Sequence, residues 1–410
     1  MPLVSMKLKN LGPFTDIAFE FDPKVNVFVG PNNCGKTTAL LALAVAICGL
    51  GHPFPQKLVR REGVCELKDL LHSIRLHWPI SSNMTAPLII GGGIRELESI
   101  TDALGYKTFV PAIRLCKDFR SKGPISGISV DDMLPDEDQF GEPPLFYMQD
   151  ESVIQQIVDL DYRGLREKNR GIMIALGLIG ELASRITEGF PLSFEGVKED
   201  KMGLFPQFGT PDGSLPLNAL SQGTQSIIQW CAQLVIGYAE HYKFPETLAD
   251  KPGVLIIDEI DAHLHPSWQR RIIPALTETL PALQIFCATH SPLMLAGLKA
   301  GQVQLLTRDD KGKVTVSRNE KDIIGWTADE IYSSFMDIHD PTDLKTKEKL
   351  DQLRELRGKK TLSAADSKKL EGLRADVGHI LRSGPGDEIA QRVNEALRVA
   401  KQPKLKPAKR

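Results

Sequence analysis

The stretch VNVFVGPNNCGKTT, residues 25–38, decides how the rest of the chain is read. Val25, Val27 and Val29 recur at period 2 with Phe28 between them, and the run stops at Gly30, which predicts a strand. Gly30, Gly35, Lys36 and Thr37 then stand at the spacing G-x-x-x-x-G-K-[ST]. An apolar run, ALLALAVAICGL over 39–50, follows and predicts a buried helix. Strand, glycine loop and helix in this order form a phosphate cradle. The glycines let backbone N–H groups curl inward, and the helix N-terminus adds its dipole and unpaired donors. In such a loop Lys36 reaches the β- and γ-phosphates and the Thr37 hydroxyl ligates Mg²⁺, while Asn32, Asn33, Cys34 and Thr38 complete the wall. Cys34 has two readings. It is a small residue at a variable position or, less favoured, a redox switch, because a helix N-terminus lowers a thiol pKa.

The second informative stretch is VLIIDEIDAHLHP, residues 254–266. Four branched aliphatic residues run into Asp258 and Glu259. Carboxylates at the end of a buried strand are costly unless something positive meets them. With a phosphate loop elsewhere in the chain, a metal and a nucleotide meet that need. Asp258 then holds Mg²⁺ directly or through water, and Glu259 orients or deprotonates an attacking water. His263 and His265 form an H-x-H pair, but no further ligand stands nearby, so a structural or dimer-contact role is preferred to zinc.

The chain has 410 residues, 42 % hydrophobic and 25 % charged, and is expected to form a large globular core. The net charge of −2 hides an asymmetry. Residues 343–410 hold 18 Lys/Arg against 10 Asp/Glu, leaving 32 against 42 for residues 1–342. This basic end fits a nucleic acid, a solvated tail or an acidic protein about equally, since no aromatic residues interleave its charges. The six cysteines are scattered without a CxxC pair, which points to a reduced, cytoplasmic setting rather than disulfides or a zinc ribbon. The N-terminus lacks a signal-peptide pattern, and the 39–50 run is shorter than the roughly 20 residues a bilayer requires, so no membrane role is expected.

Along the chain, alternation over 6–21 with a Gly12–Pro13 break predicts a hairpin or small antiparallel sheet. Strands are expected over 108–114, 253–258 and 283–290, and helices over 166–190 and 226–242. The β–α–β order of the later elements predicts a parallel sheet with helices on its faces. Residues 52–200, with Gly91–Gly93 and the acidic loop over 131–144, are expected to form a lobe inserted into the core domain. At the C-terminal end Leu350, Leu353 and Leu356 mark one helical stripe. Ser363 and Asp366 form a capping box before Leu370, Leu373 and Val377, and Ile389, Val393 and Leu397 mark a last helix.

Two further stretches complete a pattern. LNALSQGTQSII, residues 217–228, resembles the ABC signature, with Leu220, Ser221, Gln222 and Gly223 at its centre. CATHSPLML, residues 287–295, resembles the ABC switch segment, with His290 as its histidine. The order phosphate loop, signature, acidic strand, switch histidine is that of ABC-type ATPases, and the resemblance spans about residues 1–307. It implies an α/β fold, a P-loop NTPase of ABC ATPase-head type. The head would have a central, mostly parallel sheet and an N-terminal antiparallel subdomain. To it would be added the inserted lobe at about 52–200, a basic helical segment over 341–400 and a disordered tail over 401–410. It also implies a head-to-tail homodimer, or a higher oligomer built from such dimers, gated by ATP and Mg²⁺. Ser221 and Gly223 would act in trans on the γ-phosphate, with Glu259 as catalytic base and His290 as γ-phosphate sensor.

LSQGTQ departs from the transporter form LSGGQ. DEIDAHLHPSWQRRII and THSP look like the non-transporter branch that includes RecF and the OLD family, and the C-terminal hairpin resembles the ATPase subunits of Septu-type and retron-linked anti-phage systems. That implies a separate nuclease partner. The alternatives are a RecF-like repair ATPase that clamps DNA directly and, less favoured, a soluble transporter subunit. The family's Q-loop glutamine has three candidates, Gln149, Gln155 and Gln207.

Overall fold

The computed structural model describes residues 2–48, 59–69, 73–78, 88–91, 104, 106–110, 150–200, 203–262, 264–338 and 343–358, together with 363, 365–366, 368–373 and 376. Gly91 is described whereas Gly92 and Gly93 are not. The acidic loop over 131–144, His263, Gln149, the stripe of Ile389, Val393 and Leu397, and the 401–410 tail also lie outside the described residues. Two compact units divide the chain, Met1–Asp337 and Ile338–Arg410.

The first unit is built on a six-stranded sheet. Its strands are β3 (Val25–Val29), β7 (Tyr106–Val110), β11 (Gly253–Ile257), β12 (Leu283–Ala288), β13 (Val303–Arg308) and β14 (Val314–Arg318), in the order β14-β13-β3-β12-β11-β7. All neighbours are parallel except β13 and β14. β3, β11 and β12 are buried along their whole length. Alternate side chains feed two different cores, which is why these strands are mainly apolar, with the buried Asn26 and Gln284 satisfied by hydrogen bonds. Val25, Val27, Val29, Leu255, Ile257, Ile285 and Cys287 face one core, and Phe28, Val254, Ile256, Phe286 and Ala288 face the other.

The second of these cores holds α1 (Lys36–Cys48), whose residues 39–47 are all buried. A helix that is apolar all round needs cover on every side. On one side it meets the parallel sheet. On the other it meets side chains of an antiparallel sheet made of β1 (Ser5–Leu11), β2 (Phe14–Glu20), β4 (Val59–Lys68), β5 (Ser73–Trp78) and β6 (Leu88–Gly91), in the order β2-β1-β4-β5-β6. The opposite core is covered by α2 (Asp150–Glu167), α3 (Arg170–Ile186), α4 (Gln222–His241) and α5 (Pro266–Thr279). A three-stranded sheet of β8 (Ser193–Asp200), β9 (Gly203–Thr210) and β10 (Gly213–Pro216) packs against α2 and α3. A short helix, α6 (Ala328–Phe335), closes the unit with a capping box between Thr327 and Glu330.

Three expectations change. The described residues of 52–200 do not form a separate lobe. β4 to β6 extend the antiparallel sheet through the β1–β4 pairing, β7 extends the parallel sheet beside β11, and α2 and α3 line the main core. The physical reason is strand pairing at long sequence separation, which local pattern does not report. The helix expected over 166–190 is two helices. Lys168 adopts φ +52°, and the Asn169 side chain caps α3 by accepting from the Ile172 N–H at 3.2 Å. The strand expected over 108–114 is seen as β7, starting two residues earlier and described to Val110.

Two glycines of α3 give opposite stability predictions. A Cβ on Gly177 would meet nothing within 4 Å, so Gly177→Ala should gain about 0.5–1 kcal/mol of helix propensity. A Cβ on Gly180 would stand 2.7 Å from the Phe194 amide nitrogen in β8, so Gly180→Ala should lose about 1–2 kcal/mol to overpacking. Urea titrations of both variants check the sign of each.

The second unit contains α7 (Leu344–Gly358), capped by Asp343, whose carboxylate accepts from Thr346 Oγ1 at 2.6 Å and from its N–H at 3.1 Å. Ser363 and Asp366 exchange the two hydrogen bonds of a capping box, at 3.3 and 3.1 Å. Leu356 and Leu370 pack together with Leu373, and Lys349 pairs with Asp376 at 2.9 Å. These contacts hold α7 against the helical residues beyond 363.

Candidate nucleotide site

The C-terminal ends of β3, β11, β12 and β13 share one edge of the parallel sheet, where ligands of open α/β sheets bind. The loop after β3 is 30–35. Its first residue, Gly30, has φ +145°, and a Cβ there would strike the Leu306 carbonyl oxygen of β13. Gly35 has φ +101°, and a Cβ there would lie 2.5 Å from the Phe14 ring. The loop therefore fits only with glycine at both ends. Lys36 opens α1, is 7 % exposed, and donates from Nζ to the carbonyl oxygens of Gly30 and Pro31 at 2.8 and 3.1 Å. Burial pushes its ammonium below the usual lysine range, and the carboxylates of Asp258, Glu259 and Asp261 oppose that shift. Cys34 is buried and its thiol is pushed up by desolvation, which argues against the redox reading.

Asp258 follows β11 directly. Its carboxyl is 5 % exposed and pushed up by burial, while a hydrogen bond from the Thr37 hydroxyl pulls it back. A buried acid facing a hydroxyl at the mouth of a phosphate loop is a hard-oxygen pair suited to Mg²⁺, which takes few protein ligands and completes its shell with phosphates and water. Among the described residues no group of three or more His, Cys, Asp or Glu could hold a metal alone. Glu259, next in the chain, is exposed and sits at φ +49°, a conformation costing about 1–2 kcal/mol for an L-residue. Backbone bonds around it hold it there, from Ile260 N–H to Ala288 C=O at 3.0 Å and from Ala262 N–H to Glu259 C=O at 2.9 Å.

Gly35, Lys36, Thr37, Asp258 and Glu259 line a cleft of about 700 Å³ together with Asn32, Asn33, Thr38 and His290, whereas Gly30 and Cys34 do not line it. His290 follows β12 and is exposed. Ser221 and Gly223 do not line this cleft. Ser221 caps α4, its Oγ accepting from the Thr224 N–H at 3.3 Å, and Gln225 closes the turn by donating to the Leu220 carbonyl at 2.6 Å. A Cβ on Gly223 would lie 3.3 Å from the Trp268 ring of α5. The turn is therefore built and surface-facing. Of the Q-loop candidates, Gln155 donates to Asp159 at 3.0 Å within α2 and Gln207 is buried on β9; neither lines the cleft.

Sequence reasoning missed three wall residues. Gly12 and Pro13 enter from the β1–β2 turn, and Arg308 from the end of β13. The Gly–Pro break marked the turn but not its place, and Arg308 belongs to no motif. It is exposed, with Nε donating to the Gly312 carbonyl at 3.2 Å, and its charge reaches Cys34 in the phosphate loop.

No helix of the described residues is long and apolar enough to cross a membrane. A family described as "AAA domain, putative AbiEii toxin, Type IV TA system" matches residues 179–296, and a second, described as "AAA domain", matches 5–69. The chain is 26 % identical to the Septu protein PtuA of Bacillus thuringiensis over 357 residues, 81 % of this chain and 83 % of that one. It is 36 % identical to the "Retron Ec83 probable ATPase" of Escherichia coli over 100 residues, which are 24 % of this chain and 18 % of that protein. Among solved structures, an Smc head bound to the C-winged helix domain of ScpA superposes with a TM-score of 0.48 at 14 % identity, covering 78 % of this chain and 98 % of that one. The sheet topology and the glycine loop after β3 are those of an α/β P-loop NTPase core, and the chain is PtuA-like in sequence over most of its length.

Proposed function

We propose that the chain binds ATP with Mg²⁺ between two copies arranged head to tail, hydrolyses it to ADP and phosphate, and through this cycle regulates a separate nuclease in anti-phage defence. The observation that carries the reading is a divided site. Lys36, Thr37, Asp258, Glu259 and His290 converge on one cleft, while the Ser221–Gly223 turn stands outside it on an exposed helix N-terminus. A helix N-terminus favours an anion, and a second copy supplies one as the γ-phosphate in its own cleft. Likeness to Septu PtuA supports the defence setting.

In this reading Lys36 and the loop N–H groups hold the β- and γ-phosphates, and Thr37 with Asp258 holds Mg²⁺, which neutralises charge on the phosphate oxygens when bound. Glu259 aligns a water on the γ-phosphorus and takes its proton. The new P–O bond forms as the bond to the β–γ bridging oxygen breaks, and ADP leaves with that electron pair. His290 senses the γ-phosphate. The closed dimer is favoured by ATP and released with ADP, because only the triphosphate contacts both halves.

Arg308 offers a second cation at the cleft wall. Arg308→Ala should weaken ATP binding several-fold, by roughly 1 kcal/mol for one partly solvated charge contact, and fluorescent-nucleotide titration checks it. The reading as a whole is tested by co-expressing the chain with candidate nuclease genes and measuring ATP turnover, particle mass and co-purification. Nuclease co-purification with ATP-dependent control of cutting supports it. ATP-dependent, salt-sensitive DNA binding by the chain alone, with no nuclease bound, would replace it with the RecF-like clamp.

A further inference from the structure

The carboxylate of Asp261 does not line the cleft, yet it ties together the two loops that do. Its Oδ1 accepts from Thr289 Oγ1 at 2.6 Å and faces the His290 N–H at 3.4 Å. Thr289 is fully buried, and its hydroxyl also accepts from the Ser291 N–H at 3.0 Å. Ser291 Oγ donates to Gln269 Oε1 on α5 at 2.6 Å, and Gln269 Nε2 donates to the Leu264 carbonyl at 3.1 Å, back in the segment that Asp261 begins. The result is a closed polar clasp joining the loop after β11, the loop after β12 and the first turns of α5. The Thr289 N–H also reaches the Phe28 carbonyl of β3 at 3.2 Å, so the clasp is fixed to the strand that leads into the phosphate loop.

The clasp bears on chemistry because of what flanks it. Glu259 stands two residues before Asp261, held at φ +49°, and His290 is the residue whose N–H Asp261 faces. We infer that Asp261 is a positioning residue that keeps Glu259 and His290 in register on the γ-phosphate side of the cleft, acting through Thr289 as an acceptor and not through its charge. The inference rests on the proposed hydrolysis and adds the group that sets its geometry. Misplacement of a reacting group by about 1 Å costs on the order of 10²-fold in rate, whereas the hydrogen bonds that hold Lys36, to Gly30 and Pro31, lie outside the clasp, and Asp261 is the weakest of the charges acting on its ammonium.

The experiment measures kcat, KM and thermal midpoint for the full chain and for Asp261→Ala, Asp261→Asn and Thr289→Val, with ATP and Mg²⁺. Asp261→Ala is expected to lower kcat by about 10–100-fold with KM within about threefold of the parent. Asp261→Asn keeps an oxygen acceptor of the same shape and should restore most of the rate. Thr289→Val, which keeps the shape and removes the hydroxyl that donates to Asp261 and accepts from the Ser291 N–H, should fall with Asp261→Ala. If Asp261→Asn is as slow as Asp261→Ala, the charge acts directly and the inference is wrong. A change in KM alone, or full activity in Asp261→Ala, also overturns it. Should Asp261→Ala fail to fold, Asp261→Asn and Thr289→Val decide the matter. A parent chain with no ATP turnover sinks the hydrolysis reading itself, whereas an active parent with indifferent variants sinks only the clasp.

Discussion

Glu259→Gln is expected to lower ATP turnover by about 10²–10⁴-fold while leaving ATP bound, the usual scale of losing a general base. The substitution keeps the size and backbone demands of the residue, so the left-handed conformation at φ +49° and the bonds around it survive. The amide cannot take the proton of an attacking water. Lys36, Thr37 and Asp258 are untouched, and they are the groups assigned to the phosphates and the metal. In the proposed cycle the closed form opens on loss of the γ-phosphate, so the variant should also accumulate as an ATP-bound dimer, visible as a doubling of mass in light scattering. Unchanged hydrolysis would remove Glu259 as the base. Slow hydrolysis without dimer accumulation would separate the chemistry from the proposed gating.

Ser221→Arg is expected to abolish dimer-dependent hydrolysis, by at least about 10²-fold, while the monomer still binds ATP. In the proposed arrangement the nucleotide occupies the cleft of its own copy, which Ser221 does not line, so a long cation at the α4 N-terminus should leave cis binding intact. In the proposed dimer the same cation would occupy the space meant for the γ-phosphate of the partner subunit and would oppose the packing of the two heads. Loss of the cap also costs about 1 kcal/mol of folding stability, so thermal midpoints of parent and variant are measured alongside. A normal, active dimer of Ser221→Arg refutes the trans role of the signature turn.

What could be read from the sequence depended on whether the deciding residues were neighbours in the chain. Gly30, Gly35, Lys36 and Thr37 fall within eight positions, and Asp258 follows its strand without a gap, so strand, loop and chemistry appear together. Parallel pairing at the centre of the sheet was legible because β11 and β12 are buried on both faces and read as mainly apolar runs, broken only by the buried Gln284. The arrangement of 52–200 was not. β7 has five described residues, and its partner β11 lies more than 140 positions away, so no local period could place it. The break between α2 and α3 rests on the conformation of Lys168 and one side-chain bond of Asn169, within a run otherwise suited to helix. Arg308 and Asp261 were hidden for a related reason. Each acts, in this account, through what the topology brings beside it, Arg308 by ending the strand next to β3 and Asp261 by facing Thr289.

The central claim is that each nucleotide is enclosed by two copies, one supplying the cleft and the other the signature turn. The most direct test is a structure of Glu259→Gln with ATP and Mg²⁺. The account predicts a two-fold dimer with Ser221 Oγ and the Gly223 N–H within about 3 Å of the γ-phosphate held by Lys36 of the partner subunit. An ATP-filled cleft whose γ-phosphate meets no signature turn, in any assembly of the chain, would contradict it.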